Sequence, residues 1–219
     1  VLDLANSLDD LPYDGMTVEQ AERRQNVDDY GQGVHGYTLD PLAVIMTVVA
    51  GRPGLSLDYL APAAADGGTD TTCLETLTER DWDDEGLARL TAVIAAASSQ
   101  RASQDGAIRA RADDLAGQAI ADLVANTTDK EYNDDTKANI GLLLANCPAE
   151  LTEAWNGGAL ANTGNNTELR AGSADDASEL AYRVVDNADA ATTISAQIAQ
   201  YARDLSQARI QERAGDPTR

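Results

Sequence analysis

Three features of this sequence predict an all-α fold. The chain is 43% hydrophobic, yet it has no Phe, two Trp and seven Tyr. Its core must therefore be built from Ala and aliphatic side chains, which suit close helix–helix approach better than a sheet. Apolar residues recur at intervals of three and four, the spacing of one helical face. No strand-like alternation exceeds four residues, and no internal repeat is visible. The expected architecture is a multi-helix bundle with an extended N-terminal arm and a long C-terminal helix or helical hairpin.

Residues 1–36 read as the arm. Leu-Asp repeats give way to Pro12, Gly15, Gly31, Gly33 and Gly36, which interrupt regular structure. One short helix fits between them, because Thr17 and Gln20 have the capping-box spacing. Val1 is not an initiator methionine, so the chain is expected to begin inside a longer protein, with any targeting segment upstream.

Residues 37–160 read as the helical core. Asp40 can cap and Pro41 suits a first helical turn. Leu42, Ile45, Met46 and Val49 then share a face until Gly51 and Pro53. A second helix is expected around Leu55 to Leu60, followed by a loop from Ala61 to Gly68. A third carries Cys73, Leu74 and Leu77 and breaks near Asp81-Trp82. A fourth turns Leu87, Leu90, Val93, Ile94 and Ala97 inward. The next runs from Ser103 to Asn126, with Ile108, Leu115, Ile120 and Leu123 on its apolar side. After a charged turn, Ile140 to Cys147 is the most apolar helix and the expected centre of the core. Pro148 starts a short helix that ends at Gly157-Gly158, with Trp155 near its end.

Residues 161–219 read as the C-terminal element, after a polar loop from Asn162 to Asn166. Ser173 to Ala214 holds no Gly and no Pro. Ser173 can cap, Asp175 and Asp176 suit the first turn, and Arg209 and Arg213 suit the last. Ala177, Leu180, Val184, Asn187, Ala191, Ile194, Ile198, Tyr201, Leu205 and Ala208 form a heptad seam over 177–208. One unbroken helix of this length would reach roughly 60 Å; a break near Asn187 to Thr193 would make it a hairpin. The seam serves either the chain's own bundle or a second chain, as a protein partner or by self-association.

Charge narrows the function classes. The net charge is −21, from 37 acidic and 16 basic residues, and only Lys130 and Lys137 among the cations are lysines. A field of that sign repels phosphate backbones and anionic lipid, so no nucleic-acid partner is expected. The longest apolar run, Leu42 to Ala50, is too short to span a bilayer, so no membrane insertion is expected.

Catalytic and metal chemistry has little to draw on. His35 is the sole histidine, in a Gly-rich stretch, and one histidine without a neighbouring Cys or Ser elbow makes no triad. Cys73 and Cys147 lie in apolar helices outside any CxxC motif, which favours buried thiols; an exported protein could instead join them in one long-range disulfide. Asp81, Asp83, Glu85 and Gly86 fit positions one, three, five and six of a calcium loop. The twelfth position, which needs a bidentate Glu, is Ala92. A helix cap at Asp83 or Asp84 with Trp82 packed beside it explains the same residues. Acid pairs such as Asp113-Asp114 and Asp134-Asp135 point apart on a helix and do not face each other across a cleft. No phosphate loop or dinucleotide fingerprint occurs. No catalytic, cofactor-binding or metal residue is assigned.

The order of segments carries a resemblance. Asp40-Pro41-Leu42 opens an apolar helix, followed by Gly-Arg-Pro and Leu57-Asp58-Tyr59-Leu60. Then come Leu74 to Trp82, containing Glu79-Arg80-Asp81-Trp82, an Ala-rich helix after Gly86-Leu87, and Asn139-Ile140-Gly141-Leu142-Leu143-Leu144-Ala145. Over about residues 37–160 this resembles an uncharacterised helical family of large actinobacterial proteins. Many members look like type VII (WXG-type) secretion substrates or the shared body of polymorphic toxins. The chain departs from the pattern in having no Phe where Phe is common. The resemblance implies a secreted or cell-surface protein whose helical body supports export, with any toxic activity elsewhere.

The sequence reading is a non-catalytic helical interaction module, with no cofactor. Two classes compete with it. An effector hydrolase would need carboxylates converging in a cleft. A particle-associated structural subunit would use the arm to wrap a neighbour.

Overall fold

Pro41 opens α1 (Pro41–Ala50), and in this computed structural model residues 41–155 and 174–215 are described. The arm over 1–36, the Asp40 cap, His35, the loop Asn162 to Asn166 and the Ser173 cap lie outside the described residues. Leu42, Met46 and Val49 of α1 are buried. The helix α2 (Pro53–Leu60) starts on Pro53, whose fixed φ is suited to a first turn. Ser56 donates its hydroxyl to the Val49 carbonyl at 2.9 Å, tying α2 to the end of α1. The loop after it is pinched by a bridge between Ala63 and Thr69, and Gly67 supplies the positive φ that its turn requires.

The helix α3 (Thr72–Glu79) buries Leu74 and Leu77. Asp83 caps α4 (Asp84–Ser98) by accepting from the Gly86 N–H, a contact worth about 1 kcal/mol. All five residues expected inward on α4 are buried.

A 3₁₀ turn (Ser99–Ala102) follows, and α5 spans Gly106–Asn126. The expected start at Ser103 is therefore corrected. Ser103 is extended, and Asp105 accepts from the Ala107 and Ile108 N–H groups, so capping sets the boundary. Leu115, Ile120 and Leu123 of α5 are fully buried. Asn133 caps α6 (Asp134–Ala145), and α7 spans Pro148–Trp155. Ile140, Leu143, Leu144 and Cys147 are buried, while Leu142 is exposed. The helix α4 touches α1, α2, α5 and α6, and α6 touches α4, α7, α8 and α9, so the centre is shared between the two.

The C-terminal segment is two helices, α8 (Ala174–Val184) and α9 (Ala188–Gly215), of which α9 has 28 residues. The break comes at 185–187 because Asn187 turns its side chain back to cap α9, accepting from Asp189 and Ala190 N–H groups. Of the two expected forms, the unbroken helix from Ser173 to Ala214 is thus excluded, and the break falls at the near end of the expected Asn187 to Thr193 stretch. The pair does not pack as a hairpin either: α8 rests on α5, α6 and α7, and α9 rests on α6 and α7. One hydrophobic cluster runs from Leu42 through Ala177, Leu180 and Val184 to Ile194. Among the described residues no helix is long and apolar enough to cross a membrane.

Candidate functional site

The residues that carried the strongest sequence pattern gather at two helix junctions. At the first, between α3 and α4, Trp82 buries its ring and donates Nε1–H to the Leu77 carbonyl at 2.7 Å. The Arg80 guanidinium lies over that ring, 4.4 Å from its centroid, a cation–π contact. Asp81 accepts from Lys130 Nζ at 2.7 Å, and the same ammonium donates to the Trp82 carbonyl at 2.8 Å. A side chain at Gly86 would meet the Trp82 ring at 2.5 Å, so only glycine lets the indole sit on the first turn of α4. Glu79-Arg80-Asp81-Trp82 is therefore a corner that fixes the angle between two helices and ties it to the α5–α6 turn.

The second junction is where α6 crosses α4 and α9. Asn139 donates to the Ala88 carbonyl of α4 at 2.8 Å. Asn133 and Asn146, at either end of α6, donate to Asp84 and Ala95 carbonyls of the same helix. Gly141, two residues past Asn139, faces Ala190 of α9. The Asn-Ile-Gly stretch thus holds one helix by a hydrogen bond and admits another by lacking a side chain.

Among the described residues, one group of ionisable side chains is buried. Arg101 is 7% exposed and donates Nε–H to Asp113 at 2.7 Å, Nη1–H to the Asn146 carbonyl at 2.7 Å and Nη2–H to Glu150. Asp113 is also 7% exposed and Glu150 is 13% exposed. Burial would lower the Arg101 pKa, but the charge of Glu150 and the hydrogen bonds to Glu150 and Asp113 outweigh it and raise the value. Burial likewise pushes the Cys147 thiol up to about 12, against the pull of Arg101. Cys147 is thus a neutral thiol at pH 7 and no nucleophile. The cluster joins the 3₁₀ turn, α5 and the α6–α7 junction. Sequence reading missed it because its members lie 12 and 49 residues apart. An Arg within an Ala- and Ser-rich stretch was the only local sign.

The other residues weighed from sequence are placed apart. Asp113 turns to Arg101, whereas its neighbour Asp114 accepts from the Thr69 hydroxyl. Asp134 accepts from the Asn187 amide at 3.2 Å, and Asp135 is exposed. In the candidate calcium loop, Asp81 is paired with Lys130 and Asp83 caps α4. Among the described residues no three His, Cys, Asp or Glu side chains are grouped as a metal ion requires. Both cysteines are thiols; Cys73 is half-buried and Cys147 buried.

The seam over 177–208 divides in two. Ala177, Leu180, Val184 and Ile194 are buried in the bundle. Further along α9, Ile198, Tyr201 and Leu205 are half-buried, and the other described side chains from Ser195 to Gln211 are exposed. Ile198 still packs on the core, whereas Ile210 is 67% exposed.

Residues 1–219 match a family of unknown function, DUF6571. No curated protein and no solved structure matches the chain.

Proposed function

The chain belongs to the DUF6571 family, and from that premise we propose that it is a non-catalytic helical body of a larger exported actinobacterial protein, docking a second chain along the far half of α9. One observation carries the docking part. The heptad stripe of α9 outlasts the core: it is buried to Ile194, then continues through half-buried Ile198, Tyr201 and Leu205 into exposed turns. A helix already anchored at one end has met its nucleation cost, so a partner need only cover the stripe. The use of the ionisable clusters as helix ties supports a non-catalytic role. The resemblance of the Glu79 to Trp82 and Asn139 to Ala145 stretches to large actinobacterial secretion substrates supports the export part.

Sedimentation of the intact chain over a range of concentrations tests the docking. Wild type is expected to gain mass with concentration, and Leu205→Asp to stay monomeric with its fold intact. A wild type that remains monomeric while Leu205→Asp keeps its stability directs the surface to a partner other than a second copy. A wild type that remains monomeric while Leu205→Asp unfolds removes the proposal.

A further inference from the structure

We draw no further inference here: the strongest candidate, the carboxylates of Glu75, Glu79 and Asp122 on the face where α3 lies on α5, is an acidic cluster that no second observation ties to a ligand.

Discussion

Gly141 of α6 lies so close to Ala190 of α9 that a Cβ on Gly141 would stand 2.6 Å from the Ala190 Cα and 2.7 Å from its Cβ. Both atoms belong to a helix that cannot step aside without leaving the core. Overpacking costs about 1–3 kcal/mol, and the backbone obstacle puts Gly141→Ala at the upper end. The gain in helix propensity returns about 1 kcal/mol. A net loss of about 2 kcal/mol is expected in urea unfolding. Adding Ala190→Gly should restore only part of it, because the nearer atom is the Cα.

Arg101 is expected to be the most costly single charge to remove. Arg101→Met leaves Asp113 and Glu150 buried without their cation and the Asn146 carbonyl without its donor. Such a break costs about 3–5 kcal/mol. Combining Arg101→Met with Asp113→Asn and Glu150→Gln should recover most of that loss, as measured by thermal and urea denaturation. Equal stability for the single and triple variants would contradict the pairing.

The two tryptophans should report on different environments. Trp82 is 6% exposed and Trp155 is 51% exposed. Trp155→Phe is expected to leave blue-shifted emission that acrylamide quenches poorly, and Trp82→Phe to leave red-shifted, readily quenched emission. Trp82→Ala should cost about 3–5 kcal/mol as a large core truncation, and Arg80→Ala only about 0.5–1 kcal/mol as an outer cation–π contact.

Asp122 predicts a pH dependence with a definite sign. Burial raises its carboxyl above the ordinary value; bonds from Gln118 and Thr78 oppose the rise, and Glu75 and Glu79 add to it. The folded state therefore holds the proton more tightly than the unfolded chain. Its contribution is fully present below the ordinary pKa and is lost as pH rises through the folded value. Asp122→Asn should thus be more stable than wild type near neutrality, by about 0.5 kcal/mol or less because solvent screens the half-buried group. The gain should shrink in acid. A variant less stable than wild type near neutrality would show that the hydrogen bonds dominate.

Helix identity was legible wherever the local pattern and the burial agree. The faces of α1 and α4 follow directly from spacing, since each packs one continuous apolar stripe on the core. Boundaries set by one capping side chain were less so. Ser103 and Asp105 are both good caps, and only the placement of the chain shows that Asp105 does the work. The break at 185–187 was legible in part, since a break near Asn187 to Thr193 was one of the two expected forms. An Asn in mid-seam reads as a polar heptad position, and only the contacts of α6 show why it turns. Lys137 holds Asp186 at 2.6 Å, and Asn187 donates to Asp134, pinning the corner to the first turn of α6. The Arg101 cluster was not legible, because its partners come from separate helices brought together by the fold.

The proposed docking requires that the far half of α9 present a surface and not lie inside its own bundle. The most direct test compares the unfolding free energy of Leu205→Asp with that of Leu180→Asp in the intact chain. Leu180 is fully buried, and an aspartate there should cost about 3 kcal/mol or more. Half-buried Leu205 should cost about 1 kcal/mol or less. Equal and large losses at both positions would place Leu205 inside the bundle and contradict the account.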